Sequence, residues 1–223
     1  MFESIFKLAF KHPFIALGSL LPLLPFFVAL YRRQYFTKSS KWLFIFLIFF
    51  MLSDIPLWIT AAYKINNLYY SYTRDSSIFI FLASIYLVGL KSIKDRTYLN
   101  IAIFLMVMVL VIQLLKITEI GSILWINRLI LGGISLFYFF RLLQNPIIKD
   151  ILRFPFFWFN SGILFYCLST VMITFFYKFT IKAGNQPESY MFFTMILEYL
   201  SVSMFVIFAI GFWNLKNNKK YIN

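Results

Sequence analysis

Three ionisable side chains stand inside long apolar runs of this chain: Asp54, Arg128 and Glu198. A charge at that position costs about 2.5–3.5 kcal/mol on insertion scales, so it usually has a partner or a task. Asp54 precedes the outer end of its run by eight residues, Glu198 follows the outer start of its own by eight, and Arg128 by six. With a helical rise of 1.5 Å per residue, the depths are about 12, 12 and 9 Å. The shared depth predicts one cluster in the outer half of a helical bundle, with Arg128 paired to either carboxylate.

Such a cluster has three readings. It is a ligand or ion site, a lock that pins helices together, or a proton-cycling carboxylate with Arg128 as its charged neighbour. Candidate lining residues follow from helical spacing. Trp125, Gly132 and Ser135 share a face with Arg128, and Thr194 and Ser201 share one with Glu198. Asn160, Cys167, Thr170 and Thr174 form a polar stripe on another run, and Ser77, Ser84 and Lys91 form a second. Pro56 lacks an N–H and opens the backbone beside Asp54.

Much familiar chemistry is excluded. His12 is the single histidine and sits at a membrane edge, so neither a paired-histidine zinc site nor a Ser–His dyad is possible. Cys167 is the single cysteine, which rules out an internal disulfide and any CxxC motif. No GxGD motif accompanies Asp54, and no phosphate loop or dinucleotide fingerprint occurs. A retinal-binding protein needs a lysine in its last helix, and Tyr190 to Trp213 holds none. We therefore expect no catalytic residue, metal or cofactor. The surviving enzyme reading is acid/base work on lipid by Asp54 and Glu198.

The elements that position these residues are seven apolar runs. Hydrophobic residues make up 61% of the 223 and charged residues 13%, against about 25% charged in a soluble domain. A span takes about 20 mainly apolar residues. The predicted helices lie at about 13–31, 42–62, 70–90, 98–115, 122–140, 157–178 and 190–213. The third has a polar start, YYSYTRDSS, and a short clean apolar part. The expected fold is all-α, a polytopic integral membrane bundle of seven transmembrane helices in a single domain, 1–223. Residues 1–12 read as an interfacial amphipathic helix, 141–155 as a cytoplasmic interfacial segment, and 214–223 as a basic tail.

The net charge of +13 belongs to short loops between spans, so nucleic acid is not an expected partner. One side of the predicted topology carries thirteen Lys and Arg, in clusters such as Arg32, Arg33, Lys38 and Lys41, and the other carries seven. The positive-inside rule then places the N-terminus outside and the C-terminus in the cytoplasm.

The stretch FPFFWFNSGILFYCLS, Phe154 to Ser169, reads as Pro, aromatic-Trp, then Gly-x-Leu-x-Tyr entering a span. With Pro22 and Pro25 in the first run, Asp54 late in the second and the basic tail, it resembles small seven-helix bacterial membrane proteins often encoded beside histidine kinases. The last run departs from that type, with Glu198, Ser201 and Ser203 where Asn-rich small polar positions are expected. The resemblance implies the bacterial inner membrane, a lipid bilayer as solvent, and a cytosolic or membrane partner such as a histidine kinase. We expect a non-enzymatic membrane sensor or signalling component. The alternative is a small transporter or channel subunit using the same charges.

Overall fold

The computed structural model describes Phe10 and residues 13–89, 93–115, 124–144, 150–184 and 187–216; side chains at 14–15, 68–69, 93–94, 124, 177–184 and 187–194 fall outside that description. The described residues form seven helices, the first of them broken: α1a (Pro13–Leu20) and α1b (Leu23–Tyr31), α2 (Lys38–Ala62), α3 (Leu68–Gly89), α4 (Ile93–Leu114), α5 (Leu124–Leu143), α6 (Pro155–Gly184) and α7 (Pro187–Trp213). The break falls at Leu21–Pro22, where proline removes a donor and fixes φ. The predicted amphipathic segment 1–12 lies outside the described residues except for Phe10. So do residues 145–149 of the interfacial segment and 217–223 of the tail. Within the interfacial segment, Ile151–Arg153 forms one 3-10 turn.

Local signals explain several helix ends. Thr37 and Ser40 form a capping box that opens α2: the Ser40 amide donates to Thr37 Oγ1 at 3.3 Å, and the Thr37 amide donates to Ser40 Oγ at 2.7 Å. Pro155 and Pro187 occupy first-turn positions of α6 and α7, where a missing N–H costs nothing. Lys64 closes α2 at φ 56°, in the left-handed region common at helix C-termini. At the opposite face of the bundle, Asp95 in the first turn of α4 meets Arg141 in the last turn of α5 at 2.6 Å. Each charge complements its own helix dipole.

Five helices hold stretches long and apolar enough to cross a membrane: Lys38–Ala62, Asp95–Leu114, Trp125–Leu143, Pro155–Phe176 and Met195–Lys216. The run Ala16–Tyr31 is apolar but shorter. α3 carries Arg74 and Asp75 and is not among the five. Its polarity is tolerable because α2, α4 and α5 pack around it, and Ser76, Leu82, Ala83, Ile85 and Tyr86 are fully buried.

The core is a stack of aromatic rings between α2, α6 and α7. Phe159 meets Phe212 at 4.8 Å and Phe208 at 5.9 Å between ring centroids, and Phe205 meets Phe50 at 5.0 Å. Most of these contacts are edge-on, the arrangement ring quadrupoles prefer. Gly211 lets Phe159 lie flat on α7, since a Cβ there would stand 2.5 Å from its ring.

Candidate functional site

At one end of the bundle, α2, α3, α5 and α7 bring five charged side chains together. Arg74 donates to the Asp54 carboxylate across the α2–α3 interface, and its Nε donates to Ser53 Oγ at 3.0 Å. Its guanidinium also lies over the Phe50 ring at 4.7 Å. A second nitrogen of Arg74 lies 3.7 Å from Asp75. The other carboxylate oxygen of Asp75 accepts from Arg128 at 3.4 Å. The order Asp54–Arg74–Asp75–Arg128 thus crosses from α2 through α3 to α5. Glu198 of α7 sits within electrostatic reach of Asp54, Arg74 and Asp75.

The expected pairing of Arg128 with Asp54 or Glu198 is corrected by this geometry. Asp54 is taken by Arg74, and Arg128 meets Asp75. The reason is position: α3 packs against both α2 and α5, so its charges reach the acid and the base before those reach each other. Arg74 and Asp75 are the functional candidates that the sequence reading missed. A signal for them existed. The third run reaches spanning length only if it contains the Arg-Asp pair.

The cluster is unevenly satisfied. Arg128 is 2% exposed, yet its Nε and Nη1 have no hydrogen-bond partner among the described residues. Its guanidinium lies 5.0 Å from the Phe79 ring centroid, with the Tyr166 hydroxyl beside it. Its neighbour Asn127 is fully buried, and both its side-chain polar atoms lack partners among the described residues. Glu198 forms no salt bridge among the described residues. Three carboxylates therefore face two guanidiniums.

The other predicted lining residues divide. Trp125 stands on the same helix as Arg128 and packs edge-on to Phe175, with centroids 5.7 Å apart. Ser201 turns its hydroxyl to the Glu198 carbonyl at 2.7 Å, and Thr170 turns its own to the Tyr166 carbonyl at 2.7 Å. Both are spent on their own helix. Cys167 is fully buried and touches the Gly132 position. Thr194 lies in α7, but its side chain is outside the described residues.

Asn160 belongs to a separate network. Its Oδ1 accepts from Tyr86 at 2.6 Å and from Ser135 at 2.7 Å, and its Nδ2 donates to the Ser135 carbonyl at 3.1 Å. These bonds tie α3, α5 and α6 with every polar atom of the Asn160 side chain engaged. Ser135 follows Arg128 by seven residues, which puts this lock about 10 Å deeper.

Beside the cluster, a crevice of about 300 Å³ opens between α1a and α2, lined by Ser19, Leu20, Met51, Asp54, Ile55, Trp58 and Ile59. The Trp58 indole donates to Ser19 Oγ at 3.0 Å, and Ser19 lines the crevice beside Asp54. The helix break at Leu21–Pro22 separates the crevice wall from α1b, which packs on α2 and α7. Gly18 of α1a lies directly against the Glu198 carboxylate. No protein family, curated protein or solved structure matches the chain.

Proposed function

We propose that this chain is a non-enzymatic sensor or signalling component of a membrane, crossing it seven times with the N-terminus outside, and that the five-charge cluster is its receptive site. One observation carries the reading. The cluster joins four helices at one end of the bundle, while the described residues beyond it are a dense aromatic core and a saturated lock. Glu198 precedes Phe205 and Phe212 by seven and fourteen residues, so that core begins about 10 Å beyond the cluster and extends to about 21 Å. A site open to one side suits recognition better than passage.

A change of charge in the cluster has a mechanical consequence. Arg74 stands between Asp54 and Asp75, so weakening one contact strengthens the other. That shift moves α2 relative to α3 and loosens Arg128 on α5. Basic residues at the far face, including Arg33, Lys38, Lys41 and Lys216, would meet anionic lipid headgroups and a partner such as a histidine kinase in the bacterial inner membrane.

The second reading, a small transporter or channel subunit, draws on the third carboxylate, Glu198, which has no ion-pair partner among the described residues and suits a migrating proton or cation. One experiment separates the two. Arg32 lies 4.2 Å from the centre of the Trp213 ring, so α1b and α7 meet at the far face. Bimane on Arg33→Cys is quenched by Trp213 when these helices are close, and buried Cys167 stays unlabelled. A sensor shows changed quenching in Asp54→Asn and Glu198→Gln, and no proton or cation flux in proteoliposomes above protein-free vesicles. Flux that Asp54→Asn abolishes would establish the transporter instead.

A further inference from the structure

The crevice between α1a and α2 has a polar corner and apolar walls. Asp54, Ser19 and the edge of Trp58 make the corner; Met51, Ile55 and Ile59 make the walls. Leu20 and Ile55 at its rim are exposed on the outside of the bundle, where acyl chains would lie. The crevice therefore faces the bilayer laterally and places a carboxylate at its inner end. That carboxylate belongs to the cluster in which, among the described side chains, three acids share two guanidiniums.

We infer that the crevice binds the ammonium group of an amphipathic primary amine, with its hydrocarbon tail directed to the lipid. This inference rests on the receptive-cluster reading and names its ligand class. A cation supplies a positive charge that balances the three acids against the two guanidiniums of the described cluster. The walls accept methylene groups without desolvating any further polar atom. Binding at Asp54 competes with Arg74, which has Asp75 at 3.7 Å as its second anion. The guanidinium then transfers its contact along α3, and the contact of Asp75 with Arg128 is shared. A neutral alcohol of equal length fills the walls but leaves the charge uncompensated, and an alkyl sulfate adds a fourth negative charge.

Two sources present this chemistry, a free long-chain amine and the headgroup of phosphatidylethanolamine. The test uses the full chain in phosphatidylcholine nanodiscs and reads the part of the tryptophan emission that Trp58→Phe removes. We expect 12-bromododecylammonium to quench that component saturably, whereas 12-bromododecanol quenches it only in proportion to its amount in the bilayer. Asp54→Asn raises the half-saturating concentration at least tenfold. Met51→Phe, which fills the crevice and leaves the Asp54–Arg74 pair intact, does the same and serves alone if Asp54→Asn does not fold. Stronger quenching by dibromostearoyl phosphatidylethanolamine than by the phosphatidylcholine analogue identifies the lipid headgroup as the source; equal quenching by the two lipids leaves the free amine. Equal behaviour of amine and alcohol, or amine binding untouched by Met51→Phe, overturns the inference. If the bimane response to charge neutralisation persists while no ammonium binds, only the ligand class falls and the receptive cluster stands.

Discussion

Asp75 of α3 is the acid that meets Arg128 of α5, at 3.4 Å. Its neighbour in sequence, Arg74, meets Asp54 of α2. Two adjacent residues on one central helix thus satisfy charges on the helices to either side. They must point apart by the helical step of about 100° per residue, which is 3.6 residues per turn. The arrangement makes α3 the hub of the cluster.

The pairings predict a specific pattern of thermodynamic coupling. Arg74→Gln leaves Asp54 buried without its cation, at a cost of about 3 kcal/mol. Adding Asp54→Asn removes the stranded charge and recovers more than about 1 kcal/mol. A cycle between Arg128→Gln and Asp75→Asn couples in the same sense, more weakly because that contact is longer. A cycle between Arg128→Gln and Asp54→Asn couples least. Unfolding in mixed micelles measures each value. Additive losses for Arg74 and Asp54, or strongest coupling between Arg128 and Asp54, would contradict the geometry.

The Asn160 lock predicts a graded series. In Tyr86→Phe, Asn160 Oδ1 keeps its bond from Ser135, so the loss is about 0.6 kcal/mol, typical of one interhelical bond in a membrane. Asn160→Ala strands the Tyr86 hydroxyl inside the bundle and leaves Ser135 Oγ only the backbone carbonyl of residue 160, at a cost of about 1–3 kcal/mol. Thermal unfolding should rank Asn160→Ala well below Tyr86→Phe. Equal losses would mean that the network does not act through Asn160.

Most of the architecture was legible in the sequence because lipid-facing helices announce themselves. The run expected at about 42–62 is the helix Lys38–Ala62, and that expected at about 157–178 is Pro155–Gly184. The extra residues at the start of α2 follow from the Thr37–Ser40 cap, a local signal in plain view. The α3 charges were not legible as cluster members. Hydropathy measures contact with lipid, and a helix shielded by α2, α4 and α5 can be polar at full depth. The same shielding hid the partner of Arg128. Equal depth narrowed the choice of partners, but helix order around the bundle decided it, and that order is a property of packing. Asn160 is legible as a polar residue within an apolar run, but its satisfaction by Tyr86 and Ser135 depends on how α3, α5 and α6 pack.

Two glycines in the bundle predict opposite responses to the same substitution. At Gly211 an added Cβ would lie 2.5 Å from the ring of Phe159, which is itself almost fully buried and held by Phe208 and Phe212. Gly211→Ala should cost about 1–3 kcal/mol by overpacking. At Gly133 an added Cβ meets nothing within 4 Å. Gly133→Ala should be neutral, or stabilising by up to about 1 kcal/mol through helix propensity. Melting temperatures of the two variants check this directly. A tolerated Gly211→Ala would show that α6 and α7 do not approach as closely as described.

Gly18→Ala tests the place of Glu198 without altering any charge. The new methyl group would strike the Glu198 carboxylate, which ends a flexible side chain and can turn aside. The steric cost is therefore about 1 kcal/mol or less, the cost of a rotation at the end of the Glu198 side chain. The electrostatic consequence is larger, because Glu198 is displaced relative to Asp54, Arg74 and Asp75. We expect Gly18→Ala to change bimane quenching at position 33 in the direction that Glu198→Gln does, with near-wild-type melting. Combining the two substitutions should add little, because a neutral side chain turned aside disturbs the cluster no further. A silent Gly18→Ala, or one whose effect adds fully to that of Glu198→Gln, would mean that α1a senses something other than the Glu198 carboxylate.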